Sequence, residues 1–276
     1  MSAAPAAAPI PGAAPLASTT YGDAGPHVVL LHGLFGQGRN FTGVAKALAA
    51  GARVTLLDLP DHGRSPWTDD VSYLGVADRV AAQLRTEAPG EAWTVVGHSM
   101  GGKVAMLVAL RHPDLVDRLC VVDIAPGTSS AVSGFGTYVE AMRAVDLAAL
   151  PDRATADRVV AERVPDRTIR GFLLQNLRRD GTGEQARWRW QMNLDLLGDR
   201  LPDLAGWPEG DLGTYGGPVL WLAGNDSPYV TPEAAPAMRA LFPRVRLVRI
   251  KGAGHWVHAD QPEVFVATLR GFLAAT

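Results

Sequence analysis

The residue with the clearest chemical potential is Ser99, at the centre of Gly97-His98-Ser99-Met100-Gly101. This G-x-S-x-G spacing suits a nucleophile held in a strained strand-to-helix turn. Glycine is needed at both ends because a side chain there would strike neighbouring backbone. The flanks agree, since Val95 and Val96 form a β-branched run before the turn and 103–111 carries a helical pattern after it. A free alcohol is a poor nucleophile at neutral pH, so Ser99 requires a base. His255 suits that role best among the seven histidines, because it follows a late strand in the turn Gly252-Ala253-Gly254. The others read as supporting residues. His27 begins a strand, His112 ends a helix beside Pro113, His258 supports the loop, and His62 and His98 hydrogen-bond near the site. Attack by Ser99 would place negative charge on a substrate oxygen, which fixed backbone donors must receive. The Met100 N–H is the first donor. The second comes from the glycine-rich run His32-Gly33-Leu34-Phe35-Gly36, from Leu34 or alternatively Phe35.

Positioning these groups requires a particular alternation of elements. Strand patterns at 16–21, 27–31, 54–58, 93–96 and 117–123 alternate with helical patterns at 40–50, 73–87 and 103–111. The pattern returns late, with strands at 219–223 and 245–250 and helices at 232–242 and 261–273. Alternation of this kind implies an α/β fold, a mostly parallel sheet with helices on both faces. Between 127 and 213 the strand signals vanish, and helical segments are expected at 138–150, 154–164, 166–176 and 184–196. The expected organisation is therefore a tail at 1–15, a core at 16–126 and 214–276, and a helical cap at 127–213. Aromatics of the cap, Phe172 and Trp188, together with Phe35, His98 and Trp256, are the candidate substrate pocket. Each has an equally simple reading as packing.

Composition narrows the possible partners. The 276 residues carry a net charge of −2 and are 47% hydrophobic, enough for one large domain with a substantial core. Near-neutral charge gives no electrostatic reason to expect nucleic acid. No apolar stretch has the ~18–20 residues of a membrane span. The Ala/Pro-rich start lacks a basic region and reads as a tail, so a cytoplasmic setting is expected. The single cysteine, Cys120, lies in an apolar run and reads as a core thiol. No metal-binding spacing or cofactor motif is present, and no cofactor is expected. Oligomeric state is not legible.

Several segments carry a family resemblance: HGLFG at 32–36, DLPDHGRS at 58–65, GHSMGGK at 97–103, VVDIAP at 121–126, GNDSPYV at 224–230 and GAGHWVHAD at 252–260. Together with GFLLQNL at 171–177, they resemble the α/β-hydrolase superfamily. Within it the chain is similar to small bacterial esterases active on short acyl esters and thioesters, and to their mitochondrial relatives. The resemblance implies a serine hydrolase in which Ser99 attacks and His255 transfers protons. It leaves the acid open. Members of the superfamily often place it in a Gly-x-x-Asp turn, but here Ser227 stands three residues after Gly224, and Asp226 falls one position early. Asp123 ends the preceding strand, where a buried carboxylate would need a partner such as an imidazole. Asp123 is therefore the favoured acid, with Asp226 and the cap residue Asp195 as alternatives. The expected substrate is a small ester or thioester. C–C bond hydrolysis, perhydrolysis or elimination on the same triad is the alternative, and a non-catalytic binding protein on this fold is a further one.

Overall fold

The computed structural model describes residues 14–128, 134–181 and 185–275. The expected tail at 1–15 thus lies outside the described residues, apart from Ala14 and Pro15. The first half of the chain contains β1 (Ser18–Tyr21), β2 (His27–Leu31), α1 (Thr42–Leu48), β3 (Arg53–Leu57), α2 (Tyr73–Glu87), β4 (Trp93–His98), α3 (Met100–Arg111) and β5 (Val116–Val122). An insertion follows, with α4 (Phe135–Arg143), α5 (Arg153–Ala161), α6 (Arg167–Leu174), β6 (Leu177–Asp180), β7 (Arg187–Trp190), α7 (Leu194–Asp199) and α8 (Leu201–Ala205). The chain then returns through β8 (Val219–Gly224), α9 (Ala235–Leu241), β9 (Val245–Ile250), α10 (Val257–Asp260) and α11 (Pro262–Ala274).

Seven strands form one sheet in the order β1-β3-β2-β4-β5-β8-β9. Only the β1–β3 pair is antiparallel, so this is the expected α/β fold with a mostly parallel sheet. Central strands are apolar on both faces because both are covered. Val29, Leu31, Val95, Val121 and Trp221 pack beneath α2, α3 and the insertion. Val28, Leu30, Val96, Cys120 and Leu222 pack on the opposite face against α1 and α11. The register aligns the carboxyl ends of β2, β4, β5 and β8, pairing Leu31 with Gly97, His98 with Val122, and Val122 with Leu222. Four loops therefore leave the same edge of the sheet side by side.

Two expectations need correction. The helix expected at 40–50 opens as a 3-10 turn at Gly38–Phe41 and becomes α-helical only from Thr42. More substantially, no helix spans 184–196. Glu184 lies outside the described residues, and Arg187-Trp188-Arg189-Trp190 is a strand paired antiparallel with β6. The insertion is therefore not wholly helical. The reason is visible in the alternation of Arg and Trp, which places Trp190 in the core and leaves Arg187 and Arg189 exposed. Aromatic side chains also favour the pleated conformation.

The insertion is pinned to the core by an unusual cation. Lys103 on α3 is only 1% exposed, yet no acidic partner compensates it among the described residues. Its Nζ donates to the carbonyls of Ala205 and Gly206 at 2.8 and 2.6 Å and lies 5.4 Å from the centre of the Tyr73 ring. The Tyr73 hydroxyl donates to Leu204 O at 2.8 Å. Three carbonyls that α8 leaves unsatisfied at its end are thus capped by side chains from α2 and α3. Burial lowers the Lys103 pKa to about 8 from 10.5. Between those values the unfolded chain binds more protons than the folded one, so this group makes stability rise with pH across that window. Its cost to the folded state is fully present below about pH 8. Lys103→Met should destabilise the protein by about 1–3 kcal/mol through orphaned carbonyls. The gap in melting temperature between wild type and this variant should widen from pH 7 to pH 10. A constant or narrowing gap would refute the lowered pKa.

Candidate active site

Ser99 occupies the sharp turn between β4 and α3 with φ of 54°. Among the described residues only four besides glycine have positive φ, and Phe35, Ser99 and Asp123 are three of them. All three stand just beyond the carboxyl ends of β2, β4 and β5. Backbone strain of this kind persists only where surrounding structure enforces it, and it clusters at functional sites. The flanking glycines show how tightly the turn is enforced. A Cβ on Gly97 would lie 2.1 Å from Gly101 O, and one on Gly101 would lie 2.4 Å from His32 O.

The structure brings Ser99, His255 and Asp123 into one hydrogen-bonded chain. Ser99 Oγ lies 3.0 Å from His255 Nε2, and His255 Nδ1 lies 2.7 Å from Asp123 Oδ2. A carboxylate accepts, so Nδ1 carries the proton and Nε2 is free to accept from the serine. Asp123 is fully buried and its remaining lone pairs are occupied. Oδ1 accepts from Gly224 N–H at 2.9 Å, and Oδ2 also accepts from the Ser227 hydroxyl. Tyr229 stacks on the His255 imidazole with centroids 3.9 Å apart and planes 18° apart.

The alternative acids stand elsewhere. Asp226 is exposed on the β8 turn, where Asn225 Nδ2 approaches its carboxylate at 3.4 Å. Asp195 is exposed on α7 beside Arg143, at 3.5 Å. Neither is bonded to His255. Ser227, in the position where an acid was expected, instead supports Asp123. Neither Ser227 nor Tyr229 was singled out from the sequence as a site residue, although both lie within the quoted GNDSPYV segment.

Four further histidines surround the chain, His32, His62 and His98 buried and His258 half-buried. His98 Nε2 donates to the His255 carbonyl at 2.8 Å and so fixes the loop that carries the imidazole. His32 Nδ1 donates to Gly33 O at 2.8 Å while its Nε2 accepts from Leu59 N–H at 3.0 Å. His62 Nδ1 donates to Pro60 O at 2.8 Å. Burial holds His98 well below the usual imidazole value and lowers His258 to about 4 and His62 to about 3. Desolvation also lowers His32, against the opposing pull of the Asp58 charge.

Above Ser99 lies a narrow cavity of about 20 Å³, lined by Leu34, His98, Phe135, Phe172, His255 and Trp256 among others. Phe172 meets Trp256 edge-on with centroids 5.9 Å apart. Two expected pocket residues do not line the cavity. Phe35 is wholly buried and packs on Phe135, and Trp188 sits on the β6–β7 hairpin with Arg179 over its ring. Met100 is the first residue of α3, so its N–H has no intrahelical acceptor. The loop after β2 is held from the insertion. Asn176 Nδ2 donates to Phe35 O at 2.8 Å, and Asn176 Oδ1 accepts from Gln37 Nε2 at 2.6 Å.

A serine in a strand–helix elbow, bonded through a late histidine to an aspartate at the edge of a parallel sheet, defines the class of α/β hydrolases. Residues 26–262 match the family described as alpha/beta hydrolase fold, and the chain belongs to that family. It is 40% identical to the sn-1-specific diacylglycerol lipase ABHD11 of Mus musculus, over 90% of this chain and 81% of that protein. It is 31% identical to the esterase YbfF of Escherichia coli K12, over 89% and 92% of the respective chains. A solved marine microorganism esterase superposes with a TM-score of 0.89 at 33% identity, covering 94% of this chain and 99% of that one.

The elbow geometry generates a stability prediction. Gly101→Ala forces backbone apart and should cost about 1–3 kcal/mol or more. Gly43→Ala in α1, where nothing lies within 4 Å of the added carbon, should leave the melting temperature unchanged or slightly raised. Equal melting temperatures for wild type and Gly101→Ala would show that the turn is not sterically closed.

Proposed function

We propose that this protein is a carboxylic ester hydrolase working through an acyl-enzyme on Ser99. The observation that carries the reading is the hydrogen-bonded chain from Ser99 Oγ through His255 to buried Asp123. In this reading His255 takes the serine proton as the hydroxyl attacks the ester carbonyl. The imidazolium so formed is stabilised by Asp123, and its proton passes to the departing alcohol. Water then attacks the acyl-enzyme by the same route. The developing oxyanion is received by the N–H groups of Met100 and Leu34. Leu34 is preferred to Phe35 because it lines the cavity.

Residues 127–213 serve as the cap over this site. The aromatic lining supports an apolar acyl group. Beyond Phe172 and Trp256 a second cavity of about 240 Å³ runs between α6 and α10, with room for further chain. The esterase and lipase relatives support an ester substrate. Thioesters fall within the same proposal, because the attack and the oxyanion are alike.

Two experiments test the proposal. Wild type should gain one fluorophosphonate adduct by intact mass, and Ser99→Ala none. Turnover of p-nitrophenyl esters by that variant should fall by up to ~10⁶. Substantial residual hydrolysis would remove Ser99 from the mechanism. The acid is tested separately. Asp123→Asn favours the wrong imidazole tautomer, a loss that can reach ~10⁴ in turnover. Asp226→Asn, on an exposed turn, should remain within about tenfold of wild type. The reverse ranking would transfer the acid role to Asp226.

A further inference from the structure

A third cavity, on the other side of the loop at 37–41 from Ser99, has a different chemistry. It measures about 190 Å³ and is lined by Arg39, Arg64 and Arg178 with Gln37, Gln191 and Tyr21. Arg39 and Arg64 come from the loops after β2 and β3, whereas Arg178 comes from β6 of the insertion. Each guanidinium is held by a neutral acceptor. Arg39 Nη2 donates to Gln175 O at 2.9 Å, Arg178 Nε to Gln191 Oε1 at 2.7 Å, and Arg64 Nη2 to Thr19 Oγ1 at 3.2 Å. These bonds orient the groups without neutralising them.

One carboxylate, Asp58, also borders the cavity, and its nearest approach to Arg64 is 3.9 Å. Its oxygens are already engaged by the N–H groups of Gly38 and Arg64, at 2.7 and 2.9 Å. Three guanidiniums against one carboxylate leave two positive charges in the cavity. Among the described residues neither Arg39 nor Arg178 forms an ion pair. The neighbouring Asp180 is already engaged with Arg189. Arg178 is half-buried, and its pKa is lowered first by desolvation and then by the like charges of Arg39, Arg153 and Arg189. In a chain of net charge −2, such local accumulation is not a reflection of overall composition.

We infer that Arg39, Arg64 and Arg178 form a binding site for a phosphate group, carried on a ligand that bridges the core and the insertion. Arginine forks match phosphate oxygens through paired, charge-assisted hydrogen bonds. Three forks brought from three separate segments suit a tetrahedral group with several terminal oxygens better than a planar carboxylate with two. The net charge of the cavity is balanced by a dianion. Arg39 and Arg64 are exposed, so the site is open to ligand from solvent. Occupation would join β6 to the loop whose other face borders Ser99. The inference stands independently of the hydrolytic reading, because binding is measured without turnover.

The test is calorimetric titration of pyrophosphate into the full chain, in low-salt, phosphate-free buffer. Wild type should bind with a saturable, single-site isotherm. Arg178→Gln and Arg39→Gln should each weaken binding by about tenfold or more, as expected for loss of a charge-assisted bond. Arg163→Gln, an exposed arginine elsewhere on the insertion, should bind as wild type does. Melting temperatures identify any variant that fails to fold, and exposed Arg39 keeps the test valid if Arg178→Gln does. Absence of saturable binding, or equal affinity in folded Arg39→Gln and wild type, would overturn the site. Sedimentation with phosphatidic acid or phosphatidylcholine vesicles then identifies the source. Binding only to the anionic vesicles, displaced by pyrophosphate, makes the phosphate a lipid headgroup. Pyrophosphate binding without vesicle binding makes it part of a soluble phosphoester.

Discussion

The carboxylate of Asp123 is the constraint on which the site depends. A fully buried charge is tolerable only if its lone pairs are filled. Here three donors come from two separate parts of the chain: Gly224 N–H and the Ser227 hydroxyl from the turn that ends β8, and His255 from the loop after β9. Satisfying one carboxylate therefore fixes the ends of β5 and β8 and the loop after β9 relative to each other. The left-handed backbone at Asp123, φ of 52°, turns the carboxylate towards these donors. His98 completes the arrangement from the other side by holding the His255 carbonyl, so the chain segment that leads to Ser99 also supports the imidazole bonded to it.

The insertion is coupled to this edge through polar contacts made at two ends. At one end Asn176 holds Phe35 O and Gln37 Nε2, while Gln175 Oε1 accepts from Asn40 Nδ2 at 2.8 Å. At the other, Lys103 and Tyr73 cap the end of α8. Both anchors reach segments adjoining the two proposed oxyanion donors. The loop bearing Leu34 is bonded to the residues just after α6, and α3, which begins at Met100, is bonded to the residues that close α8. Displacement of the insertion would thus disturb the loop after β2 and the elbow helix together, not merely uncover a cavity.

Much of this was legible because local chemistry and global fold agree at the same residues. The elbow glycines, the apolar central strands and the late histidine each have a local signature, and each stands where the sequence indicates. The hairpin at β6–β7 was not legible as such. Its two strands are four residues each, too short for periodicity to separate from a helical turn, and only the Arg-Trp alternation marks them. The pocket assignments divided for a related reason. Phe172 and Trp256 line the cavity while Trp188 does not, and aromatic character alone carries no direction. Ser227 illustrates a different limit. A serine where an acid was expected reads as a missing group until the fold shows that its hydroxyl reaches Asp123, more than a hundred residues earlier. The arginine cavity was invisible for the same reason, since its three cations come from positions 39, 64 and 178.

The neutral histidines explain how a site so rich in imidazole can still single out one of them. His98 lies 4.7 Å from His255, and His258 lies 5.0 Å from His98. A cation on either would oppose the imidazolium that the proposed mechanism forms on His255. Desolvation prevents this, because neither has a carboxylate partner among the described residues, and His258 packs against Phe41 at 4.4 Å and Phe265 at 6.0 Å. His255 differs in one decisive respect, its bond to Asp123. Burial without a counter-charge favours the neutral ring. The same packing thus keeps the rings of His98 and His258 neutral, and among these three rings only His255 is bonded to a carboxylate among the described residues.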